Sequence, residues 1–144
     1  MISLKQFLEY KGSELWSVTS NTAVIDALKK MAEKNIGALL VIDEGRLVGI
    51  ISERDYARKV ALQGKMSKDT PVKDIMTERV LYVRPDEAVE DCMALMTDKH
   101  FRHLPVIEDG KILGMISIGD VVRIVISKQK FIIAQLENYI SGSR

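Results

Sequence analysis

The stretch VTSNTAVIDALKKMAEKNIGALLVIDEGRLVGIISERD, from Val18 to Asp55, aligns without a gap on VRPDEAVEDCMALMTDKHFRHLPVIEDGKILGMISIGD, from Val83 to Asp120. More than a third of the positions are identical. They include Ala23/Ala88, Val24/Val89, Asp26/Asp91, Met31/Met96, Val41/Val106, Gly45/Gly110, Gly49/Gly114, Ser52/Ser117 and Asp55/Asp120. Most other pairs keep their polarity, such as Leu28/Met93 and Val48/Leu113. The chain therefore carries two copies of one unit. A unit this small cannot bury its apolar face alone, whereas two stacked copies can.

Each copy reads β-α-β-β-α, an α/β (α+β) pattern. A short strand (Trp16–Thr19, then Val80–Arg84) leads into an amphipathic helix. In the first copy Val24, Ala27, Leu28, Met31 and Ala32 fall at helical spacing, with Asp26, Lys29, Lys30 and Glu33 on the other face. A buried strand follows, ALLVID or HLPVIE. The tight turns Glu44-Gly45 and Asp109-Gly110 reverse the chain into RLVGIIS or KILGMIS. A second helix starts at Ser52 or Ser117. The expected organisation is an N-terminal helical segment (1–14), a first repeat (15–62), a linker (63–75), a second repeat (76–127) and a C-terminal helix (128–144). The linker carries Gly64 and Pro71 and re-enters structure near Val72–Met76. In the tail, Phe131, Ile132, Leu136, Tyr139 and Ile140 recur at roughly helical spacing, which suits a helix packed on its own module or on a partner chain.

Composition narrows the function classes. Hydrophobic residues make up 47% and charged residues 28% of the 144 positions, an ordinary globular balance. A net charge of +1 gives no basic field for nucleic acid or membrane, so an anion must be held by a few placed cations. Cys92 is the one cysteine, which rules out an intramolecular disulfide. The N-terminus lacks the apolar core of a signal peptide, and no apolar run reaches the ~18 residues of a membrane span. The expectation is a cytoplasmic protein. Catalysis is hard to assemble from this inventory. Cys92 aligns with Ala27 on the apolar side of its helix, and His100 sits near a helix end with no cysteine beside it. One cysteine and two histidines show no metal-ligand spacing, and no phosphate-cradling glycine loop is present. Neither an enzyme, a catalytic cofactor nor a metal site is expected.

The pattern Gly-x-x-Ser-x-x-Asp occurs twice, as Gly49-Ile-Ile-Ser52-Glu-Arg-Asp55 and as Gly114-Met-Ile-Ser117-Ile-Gly-Asp120. Serine at a strand-to-helix junction with an acid three residues on is a capping box, which needs no ligand. The same geometry suits a ligand. A helix N-terminus attracts phosphate, and a carboxylate there can accept both hydrogen bonds of a ribose diol.

With PVKDIMT and FRHLPVIEDGKILGMIS, this duplicated pattern resembles the cystathionine-β-synthase (CBS) domain family over about residues 15 to 127. The first copy departs by lacking the Asp-Ile-Met lead-in and by having Leu40 where the second has Pro105. The resemblance implies a stand-alone pair of repeats, related by pseudo-two-fold symmetry, that binds AMP, ADP, ATP or NAD(H) and modulates a partner protein. It implies two clefts: Ser117 and Asp120 with Thr22, Gly37 and Ala38, and Ser52 and Asp55 with Asp86, Arg102 and His103. Gly37 and Ala38 would admit an adenine ring to the backbone. Arg54, Arg102 and His103 are the phosphate candidates, with Arg58 and Arg123 behind them; a solvated surface charge is the plain alternative for each arginine, and a backbone-bonded, partly buried imidazole for His103. The resemblance also implies a homodimer. The competing expectation is a protein–protein interaction or assembly module whose nucleotide motif is vestigial. Nucleic-acid binding is disfavoured by the near-neutral charge.

Overall fold

A computed structural model describes residues 3–11 and 15–142. The outer ends of the expected segments 1–14 and 128–144 (1, 2, 12–14, 143 and 144) lie outside the described residues. The chain divides into two compact units, Glu14–Leu81, and Met1–Ser13 with Tyr82–Arg144. Each unit contains one repeat.

In the first, the order is β1 (Ser17–Val18), α2 (Val24–Lys34), β2 (Ala38–Asp43), β3 (Arg46–Ser52) and α3 (Glu53–Tyr56), which runs on as a π-helical turn, Ala57–Ala61. The three strands form a sheet in the order β1-β2-β3, β1 parallel to β2 and β2 antiparallel to β3. The apolar stripe of α2 buries Val24, Ala27 and Met31 against Leu39, Val41, Ile51, Val60, Val72 and Ile75. Asn35 ends α2 in the left-handed region at φ 54°, which asparagine tolerates better than most residues. Lys34 then lies over the Trp16 ring, 4.2 Å from its centre, and ties the entry of β1 to the end of the helix.

The second unit opens with α1 (Leu4–Lys11) and continues through α4 (Val89–Lys99), β4 (His103–Glu108), β5 (Lys111–Ser117) and α5 (Ile118–Ser141). Leu4, Phe7 and Leu8 of α1 are buried, as are Val89, Cys92, Met96, Leu104, Val106, Ile116 and Val121. The N-terminal helix thus belongs with the second repeat: Leu4 and Lys5 donate their N–H groups to the carbonyls of Glu87 and Pro85 at 3.1 and 2.9 Å.

Both hairpins turn through two left-handed residues, Glu44-Gly45 (φ 49° and 78°) and Asp109-Gly110 (φ 50° and 75°), the two-residue geometry that matches strand twist. The register slips by one at the same place in each, between Val41 and Ile42 and between Val106 and Ile107. The following glycines give a flanking segment room. A Cβ on Gly49 would stand 2.7 Å from Met76 Sδ and 3.0 Å from the Thr77 carbonyl, and one on Gly114 would stand 2.6 Å from Leu8 Cδ2. One sequence position serves one purpose, although the covering segment is the connector in one unit and α1 in the other.

Three elements differ from the sequence expectation. The strand expected at Val80–Arg84 shrinks to a single parallel bridge, Val83 with Val106. In the first unit Leu40 donates its N–H to the Trp16 carbonyl; the corresponding Pro105 has no N–H to donate, and only the bonds Val83 N to Pro105 O and Ile107 N to Val83 O remain. The connector is more structured than a linker. It forms the 3-10 turn Val72–Asp74, Thr77 pairs with Ile50, and the carbonyls of Thr70 and Ser67 accept the N–H groups of Val24 and Ile25 at 2.8 and 3.1 Å. Those carbonyls satisfy donors at an α2 N-terminus whose Ala23 cap offers no side-chain bond. Finally, the tail is no separate helix. From its Ser117 cap, α5 runs unbroken for 24 residues.

Candidate ligand-binding site

Antiparallel pairing sets the first repeat's motif. Ala38 pairs with Ser52 at the open end of the β2–β3 hairpin, and the Gly37 carbonyl accepts the Glu53 N–H at 3.1 Å. The start of β2 and the start of α3 are therefore side by side. Ser52 caps α3 by accepting from Asp55 N at 3.2 Å, while Asp55 Oδ2 accepts from Ser52 N at 2.9 Å. The second carboxylate oxygen, Oδ1, lies 3.2 Å from Lys59 Nζ. Lys59 also donates to the Ile75 carbonyl at 2.9 Å.

The second repeat reproduces this arrangement. His103 pairs with Ser117, and Arg102 O accepts from Ile118 N at 2.8 Å. Ser117 Oγ accepts from Asp120 N at 3.1 Å, and Asp120 Oδ2 accepts from Ser117 N at 2.9 Å. Asp120 Oδ1 accepts from Arg123 Nη2 at 2.5 Å. Asp120 is buried, 4% exposed. Gly119 stands where the first repeat has Arg54, and a Cβ there would lie 3.5 Å from Arg123 Nη1, an ordinary contact distance.

In both repeats the two carboxylate oxygens divide their work. Oδ2 closes the capping box, and Oδ1 rests on a cation whose side chain is well exposed, 47% for Lys59 and 73% for Arg123. In each pair the cation reaches solvent while its carboxylate is largely buried, 14% exposed for Asp55 and 5% for Asp120.

The structure brings Gly37 and Ala38 beside Ser52, Arg54 and Asp55, and Arg102 and His103 beside Ser117 and Asp120. Thr22 is occupied locally: its hydroxyl lies 3.0 Å from that of Thr19, and its carbonyl accepts from Val72 N at 2.8 Å. Asp86 lines an open concavity of about 530 Å³ with Tyr82, Arg84, Glu108 and Asp109, at the hairpin end of β4–β5 and so away from Ser117. Lys59 is the residue that sequence reasoning missed. Its signal was the acid-to-base spacing of four, Asp55 to Lys59, on one helical face. Among the described residues no group of three or more histidine, cysteine or carboxylate side chains could hold a metal ion.

Two hairpins of equal register, each ending in a capping box, define a duplicated α+β module with the same serine-and-aspartate motif in each half. The family model of the CBS domain matches residues 9–62 and 72–127, and the chain belongs to the CBS-domain family as a tandem pair. It is 48% identical over 136 residues to the mitochondrial CBS domain-containing protein CBSX3 of Arabidopsis thaliana, covering 91% of this chain and 66% of that protein. Its structure resembles that of a protein with CBS domains from Burkholderia ambifaria, with a TM-score of 0.86 and 51% identity, over 89% of this chain and 96% of that one. It also resembles the CBS domain pair of protein MJ0100 in complex with 5′-methylthioadenosine and S-adenosyl-L-methionine, with a TM-score of 0.78 and 28% identity, over 89% and 98% of the two chains. No helix among the described residues is long and apolar enough to cross a membrane.

Proposed function

We propose that the module binds an adenine nucleotide (AMP, ADP, ATP or NAD(H)) through its two Ser-x-x-Asp sites, catalyses nothing itself, and regulates a partner protein according to the ligand it holds. The observation that carries this is the divided carboxylate. A helix cap needs only Oδ2, yet in both repeats Oδ1 is presented to a replaceable cation, so capping and ribose binding coexist on one side chain. Arg54, Arg102 and His103, next to the helix starts, are the phosphate partners, with Arg58 and Arg123 in support. Thr22, Gly37 and Ala38 serve the adenine side. The neighbour with adenosine ligands supports an adenosine moiety as the common element, and it adds methylthioadenosine and S-adenosylmethionine to the ligands worth testing. A homodimer and a cytoplasmic location belong to the same proposal, although the Arabidopsis relative is mitochondrial.

Calorimetric titration of ligand-stripped protein with AMP, ATP, NADH and S-adenosylmethionine tests it. Asp120→Asn separates the two roles, because the amide oxygen can keep the Ser117 N–H while the amide nitrogen no longer accepts from a diol. Loss of a charged hydrogen bond predicts weaker binding by about 1.5–3 kcal/mol with the melting temperature nearly kept. Unchanged affinity in that variant would remove Asp120 from the site. No binding of any ligand would leave the second reading, an assembly module with vestigial motifs, which the exposed apolar side chains of α5 favour.

A further inference from the structure

The helices that follow the two Ser-x-x-Asp motifs share a start and then diverge. In the second unit α5 continues as an unbroken α-helix. In the first, α3 widens after one turn into the π-helical stretch Ala57–Ala61, and Leu62 donates its N–H to the Ala57 carbonyl at 3.1 Å. Single π-turns within helices are rare and concentrate at functional sites. This one holds Lys59, whose ammonium spans two groups, Asp55 Oδ1 at 3.2 Å and the Ile75 carbonyl at 2.9 Å. Asp55 is thereby joined to a segment twenty positions further along the chain. The second repeat cannot repeat this link, because the position aligned with Lys59 is Ile124, whose side chain donates no hydrogen bond.

Ile75 belongs to the connector, which closes the first unit and leads on into the second repeat. Val72 and Ile75 lie in the core of the first unit, Val72 donates its N–H to the Thr22 carbonyl at 2.8 Å, and Thr77 pairs with Ile50. Two demands meet on Asp55 Oδ1. A ribose diol bound as proposed above needs that oxygen, because Oδ2 is held in the capping box, and Lys59 uses it in the ligand-free protein. The Lys59 side chain is 47% exposed, so its ammonium has solvent to move into. We propose that Lys59 couples Asp55 to the connector: a diol taken up by Asp55 draws the ammonium off, the Ile75 carbonyl loses its donor, and the connector loosens. Of the two sites, the first therefore reports its occupancy along the chain, and the second holds ligand without that link. The ligand step rests on the nucleotide reading, whereas the link from Asp55 to the connector stands without it.

Hydrogen–deuterium exchange of the full chain, read over residues 72–77, is the test. Without ligand, Lys59→Met keeps the stem of the side chain, and Asp55→Asn keeps an amide oxygen for the cap. Each should speed connector exchange about tenfold, through the loss of a charge-assisted hydrogen bond, and the double variant should exceed neither. Saturating AMP or ATP should produce a similar acceleration in the wild type and in Asp120→Asn, and none in Lys59→Met. Unchanged connector exchange in either ligand-free single variant would overturn the link, and so would effects that multiply in the double variant. Nucleotide that binds and leaves the connector unchanged, or a response lost in Asp120→Asn, would overturn the assignment of the signal to the first site. If neither nucleotide binds, the nucleotide reading falls, and the ligand-free variants still decide the link.

Discussion

At the scale of single residues, burial and hydrogen bonding decide what each ionisable side chain can do. Cys92 is fully buried, and desolvation, helped by the nearby Glu87 and Asp91 charges, pushes its thiol up to about 12. Such a thiol is inert: iodoacetamide at pH 8 is expected to label it only when the protein is unfolded, which mass spectrometry will read. Its folded pKa lies above its unfolded one, so its contribution to stability is complete below the ordinary thiol value and is lost as pH rises toward 12. Cys92→Ser leaves a hydroxyl among apolar neighbours and should cost about 1–3 kcal/mol in urea unfolding. Cys92→Ala, which installs the residue the first repeat carries as Ala27, should cost less. Asp43 shifts the other way. Its carboxylate accepts the Ser20 hydroxyl and N–H at 2.6 and 2.9 Å, and these bonds hold its pKa below the ordinary aspartate value. That stabilisation is present above the ordinary value and disappears as pH falls through the lowered one. Ser20→Ala should therefore lower the melting temperature at neutral pH, and the gap to wild type should close in acid.

At the scale of elements, the duplication was plain in the sequence because period-2 strands and a 3.6-period helix repeat with turns at fixed offsets. The two β-hairpins, the helices after Ala23 and Ala88 and both capping boxes follow from local chemistry, and the structure has them. What the sequence left obscure depends on partners distant along the chain. Pro105 announces a missing donor, but that its loss reduces the neighbouring strand to one bridge follows only from where Val83 runs. Gly49 and Gly114 looked like strand glycines, and their reason lies in Met76, Thr77 and Leu8 pressing on them. Gly49→Ala should cost about 1–3 kcal/mol, the price of overpacking against a backbone carbonyl, whereas Ser117→Ala should cost about 1 kcal/mol for its lost cap. Chemical denaturation midpoints will separate the two.

At the scale of the whole molecule, the connector folds with the first repeat and α1 with the second, so each unit is closed by chain from outside its own repeat. The long α5 carries more apolar surface than one chain covers in its outer half. The proposed homodimer, held there, would stabilise the folded state by mass action. The melting temperature of the full chain should consequently rise with protein concentration, and a chain ending at Ser127 should lose that dependence. Scanning calorimetry over a hundredfold range of concentration would show it.

The sequence by itself determined the two units, their order of elements, the hairpin turns and the serine and aspartate that start each second helix. These are local matters, set by periodicity, backbone preference and a side chain's reach to its own main chain. Tertiary structure alone decided that Lys59, beside Asp55, also reaches the Ile75 carbonyl. It also decided which segment covers each strand glycine and which apolar positions of α5 stay in water. Those outcomes depend on what arrives from elsewhere in the chain, and spacing along a sequence does not carry that information.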